Sequence, residues 1–169
     1  MDAVDLVRYN HVMRARYGRF FVAELSWAQL TTNHQTSHQT IAGAFMHGCN
    51  MEEWYLHDLP QKREWTGPQF DSFTDTPSMV RRLEQVQRAT EELIRATTVA
   101  QLTTPLQITV EGVELTTTLE TLLIESALED ITHRGEINAM LWHDDIEPPY
   151  VPYALWVSAG RPADGGPQP

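Results

Sequence analysis

The chain has 169 residues, 23 acidic side chains against 12 basic ones, and a formal net charge of −11 at pH 7. That balance argues against sequence-independent binding to nucleic acid or to an anionic membrane, both of which need a basic surface. The 41% apolar content is that of a soluble protein, and the length suits one domain with a real core.

No apolar run approaches the length of a membrane span. The first ten residues, MDAVDLVRYN, have no signal-peptide core. The one cysteine, Cys49, allows no internal disulfide. The expectation is a cytoplasmic protein with one domain over residues 1–157 and a flexible tail over 158–169, rich in Gly and Pro.

In chain order, residues 2–25 predict a first helix, with Val4, Val7, Tyr9, His11, Val12, Ala15, Phe20, Phe21 and Leu25 on a broad apolar face. Gly18 weakens it by roughly 1 kcal/mol against alanine. Residues 26–40 read as a polar connection. His34 and His38 lie four apart there, but their Thr- and Asn-rich flanks lack a helical apolar period, so the pair is not expected to bind metal. Ser37 or Thr40 is placed to cap the next helix.

Residues 41–59 predict a second helix on which His47, Asn50, Met51 and Trp54 share a face. Taken alone, His47 reads as a core histidine bonded to a backbone carbonyl. Cys49 points elsewhere and reads as a buried, inert thiol. Residues 60–77 form a loop punctuated by Pro60, Gly67, Pro68 and Pro77. Its Trp65, Phe70 and Phe73 suit either a lid or plain packing over the helix ends. Residues 77–98 predict a third helix with Pro77 in its first turn, Thr76 as cap and no chemistry on its charged face. Residues 104–116 alternate apolar and polar side chains about Glu111-Gly112, a short β-hairpin that needs something to pack on.

Residues 117–143 predict the last helix, whose apolar residues lie nearly all round and imply burial. Asp130, Arg134 and Glu136 interrupt the pattern as a polar rim. His143 suits the helix C-terminus as a cation. Pro148-Pro149 ends the helical region, and Tyr150, Tyr153, Leu155 and Trp156 are expected to pack back. The candidate site lies inside this helix. Glu129 and His133, four residues apart, fall on one face. A buried glutamate needs a partner, which His133 or a cation supplies. If His47 faces them from the second helix, three metal-ligand side chains converge and leave positions open.

Three segments carry a resemblance. YNHVMRARYGR (residues 9–19), HGCNMEEWYL (47–56) and THRGEINAMLWHDDIEPP (132–149) resemble the opening helix, the histidine helix and the His-Arg-Gly motif of the DinB/YfiT-like superfamily of metalloproteins. The likeness covers about residues 4–149. It implies an all-α four-helix bundle with a short hairpin before the last helix, and a divalent metal held by His47, His133 and the residue one turn before His133. That residue is usually histidine in the family and is Glu129 here, a variant similar to a branch containing thiol S-transferases. The harder oxygen donor favours Fe(II), Mn or Zn, and Ni completes the candidate divalent ions.

The functional expectation is a metal-dependent transferase or isomerase that uses a low-molecular-weight thiol as cosubstrate on a small molecule. Glu129 and Arg134 are the candidate catalytic residues, and Tyr9, Asn10, Met51 and Trp54 the candidate pocket. One alternative is a non-haem Fe(II) oxidative enzyme with a two-His-one-Glu site. Another is a non-catalytic ligand-binding bundle; where the metal is lost, Glu129 is a general base or a structural residue. A homodimer is expected from the resemblance and from the apolar last helix.

Overall fold

The computed structural model describes residues 2–65 and 67–163. The chain is mainly helical, with an antiparallel two-stranded hairpin before its last long helix. Each long helix starts at a side-chain cap, which satisfies a backbone donor that the helix leaves open. The Asp2 carboxylate accepts from the Val4 N–H at the start of α1 (Ala3–Glu24). A short helix, α2 (Trp27–Leu30), follows in a capping box of Ser26 and Gln29. It breaks what the sequence predicts as an unstructured polar connection. Thr40 caps α3 (Ile41–Glu53) through the Gly43 N–H, and Asp75 rather than Thr76 caps α4 (Thr76–Ala96). After α5 (Val99–Leu102), strands β1 (Pro105–Val110) and β2 (Val113–Thr118) pair from Pro105↔Thr118 to Val110↔Val113. Glu111 and Gly112 turn the chain with φ of +49° and +80°, the left-handed pair that matches strand twist in a two-residue hairpin loop. Thr118 then caps α6 (Leu119–His143), and α7 (Tyr153–Ser158) closes the described chain.

The predicted second helix is shorter than its pattern. The α-helix ends at Glu53 and continues as a π-helical turn over Trp54–Asp58 and a 3-10 turn over Leu59–Gln61, where Lys62 turns left-handed with φ +53°.

Four long helices form a closed ring of neighbours, α6 lying against α3 and α1, and α4 against the same two. One apolar cluster gathers Tyr17, Phe21, Ala42, Phe45, Met79, Leu83, Ile137 and Leu141. A second gathers Val7, Leu56, Leu59, Leu122, Leu123 and Ala127, and the hairpin joins it through Ile108, only 3% exposed. A third holds Tyr9, Met13, Val151 and Trp156, so the segment after α6 does fold back on α1. Tyr150 and Leu155, expected to share that packing, face outward. The Trp156 indole donates to the Pro162 carbonyl (3.0 Å), and Arg161 pairs with Asp5 (2.9 Å). The start of the predicted tail is therefore held down, and residues 164–169 lie outside the described residues.

Two further corrections concern α6. Ile124, Leu128, Ile131 and Trp142 are exposed, so the helix is not buried all round. Asp130 and Arg134 are buried rather than a rim. They belong to a polar layer between the first two apolar clusters. Arg14 of α1 reaches the carboxylates of both Glu52 on α3 and Asp130 on α6, and donates to the Gly48 carbonyl (3.3 Å). Arg134 donates to Asp130 (3.0 Å) and to the Asn10 side chain (3.2 Å), whose amide donates to the Ala127 carbonyl (2.9 Å). His11 lies 2.9 Å from Glu52 and 3.7 Å from Glu91 of α4. One layer thus ties all four long helices through charges that are paired, as buried charges must be.

Burial opposes a charge on His11, but Glu52 and Glu91 outweigh it and raise the ring from its ordinary 6.5 to about 9 against the opposing Arg14. Glu52 moves the other way: burial opposes its charge, yet His11 and Arg14 hold it well below the usual carboxylate range. The stability His11 contributes is therefore complete below pH 6.5 and is lost as pH rises through about 9. That of Glu52 is complete above its ordinary 4.5 and is lost in acid. The thermal midpoint should be highest between these limits. The alkaline fall, on the order of 3 kcal/mol, should vanish in His11→Gln; an unchanged fall in that variant means other groups carry it.

Among the described residues, no helix is long and apolar enough to cross a membrane.

Candidate metal centre

The loop over residues 31–40 is shaped by two left-handed residues, Gln35 (φ +59°) and Gln39 (φ +62°). Such backbone is strained for a residue with a side chain. Its last turn presses onto the start of α3, where a Cβ at Gly43 would stand 2.5 Å from the His38 carbonyl oxygen. Glycine is needed there for close approach. This packing carries His38 to the rings of His47 on α3 and His133 on α6. The ring centroids are 4.4 Å (His38–His47), 4.4 Å (His38–His133) and 4.6 Å (His47–His133) apart. One nitrogen from each ring lies within 4.8 Å of the other two.

Two of the rings are backed by carboxylates. Glu136 accepts from the His38 backbone N–H (3.0 Å), from Ser37 Oγ (2.9 Å) and from His38 Nδ1 (2.8 Å). Facing a carboxylate, Nδ1 carries a hydrogen, and Nε2 is the nitrogen not engaged by Glu136. Burial opposes the Glu136 charge, but these donors draw its carboxyl down to about 2. Glu129 lies 3.1 Å from His133 Nε2. The opposite nitrogen, His133 Nδ1, is buried without a hydrogen-bond partner, 3.6 Å from Glu136. His47 is held low, to about 4, first by burial and then by His133 and His38, so its ring is neutral at physiological pH. Three clustered imidazoles, His47 among them held neutral, one orphaned buried nitrogen and carboxylates behind two rings are what a divalent cation takes as ligands and outer partners.

Beside His38 and His47 lies a cavity of about 260 Å³, walled by Met46, Asn50, Gln69 and Phe70 among others. Asn50 donates to the Pro68 carbonyl (3.0 Å), while its buried Oδ1 has no partner. The loop after α3 thus reaches the site through Phe70, which also packs on the core with Phe73.

Of the sequence-predicted ligands, His47 and His133 come together. Glu129 stands behind His133, a third exposed, and His38 takes the third place among the rings. Arg134 and Asn10 belong to the buried layer, and the Tyr9 hydroxyl donates to the Val151 carbonyl (2.6 Å) beneath Arg134. Trp54 packs with the second apolar cluster, and neither it nor Met51 lines the cavity beside the rings. Cys49 is fully buried, and its thiol is pushed up to about 12, first by burial, which suits an inert side chain.

The flanks of His38 carry no helical period, so periodicity does not mark it as a ligand. Thr40 is the local signal that does: a cap two residues on fixes His38 at the mouth of the helix that bears His47. Compared with known proteins, the chain matches no family model and no curated protein.

Proposed function

We propose that this chain is a mononuclear metal enzyme of the DinB/YfiT type, its four long helices forming that family's bundle, and that it transfers or isomerises a small molecule with the help of a low-molecular-weight thiol. The observation that carries the metal is the convergence of His38, His47 and His133, one of which has a buried nitrogen, His133 Nδ1, without a hydrogen-bond partner. The thiol rests on the resemblance of residues 9–19, 47–56 and 132–149 alone. An all-nitrogen ligand set suits zinc-type transfer more than the two-His-one-carboxylate iron chemistry considered from the sequence. A bound ion of that kind supplies Lewis acidity that makes a thiolate available near neutral pH.

The chain's own residues do the rest. Glu136 fixes the tautomer of His38, and Glu129 fixes the ring plane of His133. Asn50 Oδ1 is free to accept from a substrate donor, and Met46 and Phe70 supply an apolar wall.

Metal analysis of tag-free protein beside His47→Ala/His133→Ala should show a difference of about one ion per chain. The loaded protein should then consume thiol in the presence of an electrophile. Equal metal in both proteins, after anaerobic reconstitution, would overturn the metal centre. A loaded but inert protein would overturn the thiol chemistry and leave a ligand-binding role.

A further inference from the structure

The same loop that delivers His38 carries a second histidine into a different group. The His34 side chain is 4% exposed, and its Nδ1 lies 2.9 Å from the Thr32 carbonyl oxygen. A carbonyl only accepts, so Nδ1 carries the hydrogen and Nε2 is the nitrogen presented inward. Nε2 lies 2.9 Å from one carboxylate oxygen of Asp144, and His143 Nδ1 lies 3.1 Å from the other. The two rings meet edge to face with centroids 5.7 Å apart. One donor atom from each of the three residues lies within 4.8 Å of the other two.

Nε2 of the largely buried His34 ring and the Asp144 carboxylate thus converge with His143 Nδ1 on one small volume, and imidazole nitrogens and a carboxylate are donor types that a transition-metal ion takes. Asp144 also sits where a cation is favoured. Its N–H bonds the Met140 and Leu141 carbonyls at the C-terminus of the 25-residue α6, the negative end of the helix dipole.

We propose that His34, His143 and Asp144 form a second, peripheral site for a divalent transition metal, distinct from the His38–His47–His133 centre. Two imidazoles and a carboxylate select zinc, nickel or copper over magnesium and calcium, which take oxygen ligands. His143 is 78% exposed on its side chain, so the ion exchanges with solvent. The site also has a structural consequence. The histidines of loop 31–40 hold it at two points, His38 to Glu136 on α6 and His34 to Asp144 at the end of α6. The two anchor points on α6 are eight residues, about 12 Å, apart. Metal at the outer point holds the loop that presents His38 to the inner centre.

Isothermal titration with zinc chloride tests this in the His47→Ala/His133→Ala protein, which lacks two of the inner ligands. That protein should bind one zinc per chain, and adding His143→Ala should weaken the binding at least tenfold. His143 is exposed, so the added change leaves the circular dichroism spectrum as it was. No zinc binding by the double variant, or binding indifferent to His143→Ala, overturns the proposal. Should the double variant not fold, wild type is compared with His143→Ala alone; a stoichiometry lower by one supports the outer site and an equal stoichiometry overturns it. The inner centre fails separately, when His47→Ala leaves the wild-type stoichiometry unchanged.

Discussion

Arg14→Ala should destabilise the protein by about 3–5 kcal/mol, the penalty seen when one member of a buried ion pair is removed. Arg14 is 4% exposed and serves two carboxylates, Glu52 (1%) and Asp130 (5%), from two other helices. Its removal leaves both facing a dry interior between two apolar clusters, with only His11 and Arg134 to balance them. Against a total stability of roughly 5–15 kcal/mol, that loss brings the chain near unfolding at physiological temperature. Arg8→Ala is the matched control. Its pairing with Glu91 is 3.2 Å long but 43% exposed at the arginine side chain, so its loss should cost under about 1 kcal/mol. Urea unfolding followed by circular dichroism measures both. If the two variants lose the same amount, the buried layer is not what holds the four helices in register.

The helices that this layer joins were legible in the sequence, and the layer was not. The four long helices and the hairpin follow from local patterns: apolar spacing, a capping side chain before each helix, and Glu-Gly between two alternating runs. Those signals lie within a few residues of where they act. The buried layer does not. Asp130 and Arg134 interrupt the apolar pattern of α6, and an interruption reads as an exposed rim unless its partner is known. The partners, Arg14 and Asn10, lie more than a hundred residues away on a helix with an ordinary mixed face. The same limit explains the outward stripe of Ile124, Leu128 and Ile131, because periodicity shows that side chains are apolar but not which neighbour covers them. At the candidate site, His47 and His133 stand on regular helices, where spacing assigns a face. His38 stands on a loop, and its position depends on left-handed Gln35 and Gln39 and on the missing Cβ of Gly43. Nothing in helical periodicity encodes that geometry.

His38 against Glu129 is therefore the contrast that separates the two accounts of the metal centre. By residue pattern and resemblance, Glu129 is the third ligand and His38 a polar loop residue. By geometry, His38 groups with His47 and His133 while Glu129 lies against His133 Nε2. His38→Ala should then weaken zinc binding at the inner site by more than 100-fold, beyond the 10–100-fold range typical of an outer partner. Glu129→Gln keeps an acceptor for the His133 N–H and should stay within about tenfold. Both changes lie near the surface of α6 and of the loop, away from the buried layer, so neither should lower the thermal midpoint by more than a few degrees. Competition against a fluorescent chelator, in a His143→Ala background that silences the outer site, gives the two affinities directly. The reverse order, with Glu129→Gln crippled and His38→Ala close to wild type, would return Glu129 to the ligand set. The centre would then be two histidines and a carboxylate, which suits Fe(II) and oxygen chemistry more than thiol transfer.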